Sequence, residues 1–207
     1  VPDKSLIIDA IKKISKIIGK ENIYIRYDPI FLSDIYDINY HKKAFSRLVK
    51  LLDGYTEHII VSFIDDYKNV RKNMNVLRYH DFTREDFQEI GKYFSEEAKK
   101  YGMSVQTCFE DNTLVEYGFI KNECMSKELA KRLTGKDYKK WKARSQNKCE
   151  CVQMVDIGVY NSCKHFCKYC YANFDEKKVL KNMEKHNPNS SLLIGELESD
   201  DVIKVRR

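Results

Sequence analysis

The run His58-Ile59-Ile60-Val61-Ser62-Phe63-Ile64 is followed at once by Asp65-Asp66. It is almost continuously apolar, β-branched or aromatic. That is the composition of a strand covered on both faces, not of one with an alternating wet side. Strands of this kind belong to parallel sheets, where connecting helices cover both sides of the sheet. The paired aspartates mark the end of the strand.

Outward from this run the same unit repeats. Upstream, His41, Phe45, Leu48, Val49 and Leu52 share one helical face, and Gly54 stops that helix. Asp34 and Asp37, in the loop before it, read as turn formers and helix caps. Ile23-Tyr24-Ile25-Arg26-Tyr27 reads as an earlier strand, ending at Asp28-Pro29. Ahead of that, Ser5 is the expected N-cap of a helix carrying Ile7, Ala10, Ile11, Ile14, Ile17 and Ile18, closed by Gly19. Downstream, a helix from Thr83 to Tyr101 turns Phe87, Ile90, Phe94 and Ala98 inward, and Met103 to Phe109 is a strand ending at Glu110. A helix over Ser126 to Leu133 follows. Val152 to Val159 predicts a fourth strand that runs into Tyr160-Asn161-Ser162, and a last helix starts near Asp175.

Strands separated by helices at roughly 35–50 residues make parallel β/α repeats, so the fold class is α/β. Four strands do not close a barrel. The expectation is a single domain over residues 1–207, being the C-terminal part of a longer β/α barrel, with a cysteine-rich segment at 149–174. The absence of an initiator Met at Val1 favours that reading over an open sheet.

Composition narrows the class. Of 207 residues, 43% are hydrophobic and 33% charged, enough for a core and too structured for extended disorder. Only 3 Pro and 8 Gly exclude collagen-like or proline-rich chains. No apolar run is long enough for a membrane-spanning helix, and Val1-Pro2-Asp3-Lys4 is not a signal peptide, so a cytoplasmic location is expected. The net charge is 37 − 31 = +6, spread mainly as lysine over polar helix faces. A solvated surface is the plain reading. Asp137-Tyr138-Lys139-Lys140-Trp141-Lys142-Ala143-Arg144 is the one local stretch suited to phosphate contact in nucleic acid.

The chain has 7 cysteines: Cys108, Cys124, Cys149, Cys151, Cys163, Cys167 and Cys170. An odd number without a secretory signal argues against a disulfide framework and for metal or redox chemistry. Cys163-Lys-His-Phe-Cys167-Lys-Tyr-Cys170 lets one tight loop direct three thiolates at one 4Fe-4S cubane, leaving the fourth iron open for a small molecule. A zinc knuckle completed by His165 or Cys151 is the alternative, though zinc more often uses paired C-x2-C hooks and only Cys167 and Cys170 form one. Cys108, Cys124, Cys149 and Cys151 match a second all-cysteine site, an auxiliary cluster or zinc. Cys108 and Cys124 as buried apolar fillers is the plainer reading.

The three-cysteine spacing resembles that of the radical S-adenosylmethionine superfamily. Tyr169 stands where an aromatic is usual before the third cysteine, and Cys167-Lys-Tyr-Cys170-Tyr is similar to the cluster loop of spore photoproduct lyases. Asp28-Pro29, Ser62-Phe63-Ile64-Asp65, Cys108-Phe-Glu110, Asn122-Glu-Cys124, Cys149-Glu-Cys151 and Asp156-Ile157-Gly158-Val-Tyr160-Asn161 together resemble an uncharacterised bacterial and archaeal family. That family is a domain of unknown function with a radical-SAM-like cysteine cluster near its C-terminus. The resemblance covers nearly the whole chain and implies a partial or permuted radical-SAM-type (β/α) barrel. The Gly-Gly-Glu segment that holds the methionine amino group in radical SAM enzymes is absent from this sequence.

The resemblance supplies a cofactor and no substrate. It implies an enzyme in which a cluster on Cys163, Cys167 and Cys170 cleaves S-adenosylmethionine, with electrons from a flavodoxin or ferredoxin. Polar residues at strand ends are the expected site residues, because ligands of parallel α/β folds bind there. Asp28, Asp65 and Glu110 would orient substrate or ribose, Arg26 would bind an anionic group, and Tyr169 and Asn161 would contact cofactor. A non-catalytic module stapled by zinc or an inert cluster is the competing reading.

Overall fold

The computed structural model describes residues 2–111, 113–121, 124–145 and 149–204, without the side chains of Ser145, Cys149 and Glu150. The chain divides into two compact units. The first comprises residues 1–64 and 78–154, and the second residues 65–77 and 155–207.

The first unit is built on a parallel sheet of three strands in the order β1-β2-β3: β1 (Tyr24–Ile30), β2 (His58–Phe63) and β3 (Ser104–Thr107). Tyr24 lies opposite His58, and His58 opposite Ser104, so the three strands start level with one another. The connections are helical: α2 (Ile38–Leu51) joins β1 to β2, and α5 (Arg84–Lys99) leads into β3. α1 (Lys4–Ile18) precedes the sheet. The near-continuous apolar run of β2 is explained by burial: Ile59, Ile60, Val61 and Phe63 are all buried. Phe45 of α2 and Phe94 of α5 stack with ring centroids 3.8 Å apart, both fully buried. They join the two helices over the sheet.

Helix ends follow local chemistry. Asp37 caps α2 by accepting from the Tyr40 N–H at 2.6 Å, and Thr83 and Asp86 form a reciprocal capping box on α5. The cap of α1 is Asp3, which accepts from Ser5, and Ser5 lies inside the helix instead of capping it. An aspartate two residues upstream outcompetes the serine hydroxyl.

Among the described residues no barrel closes: β1 and β3 are the edges of the sheet. The fourth parallel strand expected over Val152–Val159 is absent. The backbone there pairs antiparallel instead, β5 (Cys149–Val152) against β4 (Ala143–Ser145), with the Gln153 N–H donating to the Lys142 carbonyl at 3.1 Å. Residues 153–160 are exposed and irregular. The apolar letters of that stretch are broken by Asp156, whose carboxylate turns back to accept from the Gly158 N–H at 2.7 Å. An Asx-type turn of this kind competes with a sheet ladder. Asn161 is accordingly a loop residue, not the end of a strand. α6 (Lys127–Thr134) lies between β3 and the small sheet.

The second unit contains α3 (Lys68–Lys72), α4 (Met74–Leu77), the cysteine loop and α7 (Glu176–Glu184). Val70 and Val179 are fully buried in it. No helix among the described residues is long and apolar enough to cross a membrane.

Candidate functional site

The ends of the parallel strands carry a polar network. Arg26 of β1 holds Asp28 through both Nε and Nη2, at 2.7 and 2.5 Å from Oδ2, and the Ser62 hydroxyl donates to the same oxygen at 3.1 Å. Glu110, just past β3, accepts from the Phe63 N–H at 2.8 Å. Three of the four expected catalytic side chains therefore gather at one rim of the sheet. The fourth, Asp65, opens the second unit and is exposed.

A group of thiols adjoins that rim. Cys108 follows β3, Cys124 precedes α6, and Cys151 lies in β5. Cys124 Sγ is 3.9 Å from Cys108 Sγ and 3.5 Å from Cys151 Sγ. The Met125 N–H donates to Cys151 Sγ at 3.3 Å. Cys151 is fully buried, and the other two are half-buried. Asn122 and the Cys149 side chain lie outside the described residues; the Cys149 backbone is two positions before Cys151 in β5.

The Arg26 guanidinium also acts on Cys108, favouring its charged form. A hydrogen bond from Cys124, with Arg26 adding to it against the cost of burial, holds Cys108 down to about 6. Cys124 is pushed the other way, first by its contact with Cys108, then by Cys151 and burial. Burial opposes the charge on Arg26, but Cys108 and Asp28 outweigh it and raise its pKa. The two thiols are thus pushed in opposite directions, Cys108 toward its charged form and Cys124 away from it, with the Arg26 cation alongside. The expected anion-binding residue faces anions of its own chain.

In the second unit, Cys163, Cys167 and Cys170 lie on one loop. Cys163 is exposed, and Cys167 and Cys170 are half-buried free thiols. The Cys170 N–H closes a turn onto the Cys167 carbonyl at 3.0 Å. Asparagine amides hold the loop backbone. Asn69 Nδ2 of α3 donates to the carbonyls of Cys170 and Asn173, both at 2.9 Å, and Asn73 Nδ2 reaches the Lys168 carbonyl at 2.9 Å. Asn173 Nδ2 donates to the Cys163 carbonyl at 2.5 Å.

Asn161, expected to touch cofactor, instead clasps the base of the loop. Its N–H donates to the Ala172 carbonyl at 2.9 Å, and its Oδ1 accepts from the Phe174 and Asp175 N–H groups at 3.0 and 3.1 Å. Tyr169 and His165 are exposed on the loop. A groove of about 530 Å³ runs beside Cys167, lined among others by Lys72, Lys168, Lys177 and Asn69.

Neither place holds three or more His, Cys, Asp or Glu side chains closed around a common ion, among the described residues.

Sequence reasoning found the cysteines and missed the asparagines. Asn69, Asn73 and Asn173 carry no motif, and only their spatial meeting with the loop reveals them.

Residues 1–172 match the family described as Domain of unknown function (DUF1848). The chain belongs to this family. The match includes all seven cysteines, the Arg26–Asp28 rim and Asn69 with Asn73, so both thiol groups lie inside the DUF1848 domain. α7 lies beyond the matched residues. No curated protein and no solved structure matches the chain.

Proposed function

We propose that this DUF1848 protein is an iron–sulfur protein of radical-SAM type, with a 4Fe-4S cluster on Cys163, Cys167 and Cys170. What carries the reading is the cysteine loop itself. Its polar neighbours bind backbone carbonyls and leave the three thiols as free donors at C-x3-C-x2-C spacing. Three thiolates serve three irons and leave the fourth coordination site open. When bound, the cluster supplies the electron that reductively cleaves S-adenosylmethionine.

The chain's own residues have separable tasks. Asn69, Asn73 and Asn173 fix the path of the loop, and Asn161 fixes its base. The groove beside Cys167 offers Lys72 and Lys177 to an anionic group, while Lys168 is paired with Glu176 at 3.3 Å. His165 and Tyr169 are exposed on the loop. The finer fold reading belongs with this proposal. Three parallel strands in sequential order, joined by helices, are the repeat from which a partial or permuted (β/α) barrel is made.

The test is anaerobic reconstitution with iron and sulfide. The expected result is a brown protein whose reduced EPR signal changes on adding S-adenosylmethionine, and whose colour is lost with Cys163→Ser, Cys167→Ser and Cys170→Ser together. A protein that stays colourless and takes up no iron or sulfide would overturn the reading, and zinc lost with the same three serine substitutions would favour a non-catalytic metal module.

A further inference from the structure

We infer that Cys108, Cys124 and Cys151 bind a single thiophilic divalent ion of the zinc class, and not a second iron–sulfur cluster. The argument is one of length. Around a tetrahedral zinc with bonds of about 2.3 Å, two ligand sulfurs stand ~3.8 Å apart. The two measured separations, 3.9 and 3.5 Å, bracket that value. A disulfide would need sulfurs at about 2.05 Å. A cubane would spread its cysteine sulfurs wider, since each must reach its own iron. Two edges of the ligand tetrahedron are thus already near length, and drawing Cys108 and Cys151 together around the ion closes the third.

The surroundings match such a site. The Met125 N–H already donates to Cys151 Sγ, and the Arg26 charge bears on Cys108. Donors of this kind are what orient thiolate ligands and temper their charge. Three thiolates on a divalent ion carry a net charge of −1, and the Arg26 guanidinium stands against it. The ligands come from the end of β3, the turn before α6, and β5. One ion would therefore tie three separate parts of the first unit together. The two-stranded β4-β5 ribbon is too small to be stable unaided, so such a tie has a structural purpose.

The site is independent of the cysteine loop, and its test removes that loop's thiols. The full chain carrying Cys163→Ser, Cys167→Ser and Cys170→Ser is purified anaerobically, stripped with chelator under reductant and titrated with Co²⁺. The expected result is the intense visible absorption of tetrahedral thiolate-bound cobalt, saturating at one ion per chain and bleached by Zn²⁺. Adding Cys124→Ser should remove that absorption while the far-ultraviolet circular dichroism keeps its helical shape. A chain with the loop serines that shows no thiolate–cobalt bands overturns the inference, whatever the Cys124→Ser variant does. So does a Cys124–Cys151 disulfide in the anaerobic protein, or recovery of iron and sulfide in place of one metal ion. None of these outcomes touches the reading of the loop, whose cysteines the tested chain lacks.

Discussion

Asn69 donates to the Cys170 carbonyl at 2.9 Å across 101 residues of sequence, and its other contact, the Asn173 carbonyl, is equally short. One buried amide thereby anchors the third cysteine of the loop to α3. Each such bond is worth about 1 kcal/mol net, and its loss strands a buried carbonyl. Asn69→Ala should cost about 2 kcal/mol locally, read as faster amide exchange over residues 160–175. Asn69→Asp should cost more, because it sets a carboxylate against two carbonyl oxygens. Exchange identical to that of the parent chain in both variants would refute the anchoring role.

His41 predicts an acid limb in stability. It is buried on α2, with Nε2 2.9 Å from the Phe31 carbonyl and Nδ1 2.9 Å from the Tyr27 hydroxyl. The neutral ring satisfies both, donating from Nε2 and accepting at Nδ1. Burial lowers its pKa despite the Phe31 carbonyl and Asp37, which favour the charged form. The folded chain therefore refuses a proton that the unfolded chain accepts below about 6.5. Stability held above that pH is lost as pH falls through the depressed folded value. The slope of melting temperature against pH between 7 and 5 should flatten in His41→Gln. An unchanged slope would show that His41 does not contribute. His58, which burial also pushes down, keeps its own share in the variant.

The Phe45–Phe94 stack should be the costliest contact in the core to cut. Truncating either ring leaves a cavity that two helices and a sheet hold open. Phe45→Ala or Phe94→Ala is expected to lose about 3–5 kcal/mol, measured by urea unfolding. The double variant should lose less than the sum of the two, because the rings face each other.

Gly91 inside α5 sets two effects against each other. Alanine there gains up to about 1 kcal/mol of helix propensity. Its Cβ would fall 2.7 Å from Tyr117 Cδ2 and 3.1 Å from Tyr117 Cβ. Crowding of that degree costs about 1–3 kcal/mol, so Gly91→Ala should lower the melting temperature. In a Tyr117→Gly background, where the whole side chain is gone, the same change should raise it. A rise in both backgrounds would show that the ring yields freely.

The sheet was legible because burial leaves its mark on composition. Ile59 to Phe63 could be nothing but a covered strand, and the faces of α2 and α5 followed from residues spaced three and four apart. Val152 to Val159 misled because apolar letters alone do not make a ladder. Asp156 and Gly158 signal a turn, and they decide the local outcome. α3 is five residues long, too short for periodicity to show. The rim of Arg26, Asp28 and Glu110 was readable from the strand ends, whereas the approach of Cys124 to Cys108 and Cys151 joins residues 16 and 27 positions apart. Contacts of that range depend on how the chain returns, which no local pattern records.

The cysteine loop is framed by asparagine amides, and this bears on the conditions it tolerates. Amide-to-carbonyl bonds carry no net charge, so counterions do not screen them as they do ion pairs, and neither partner titrates in the ordinary pH range. Raising ionic strength should loosen Lys168–Glu176, the exposed ion pair beside the loop, and leave the spacing of Cys163, Cys167 and Cys170 untouched. The frame also adds no net charge beside whatever the thiols hold. The net charge beside that group is then set by Lys72, Lys168 and Lys177 against Asp175 and Glu176, and the lysines can be exchanged one at a time without disturbing the asparagine frame.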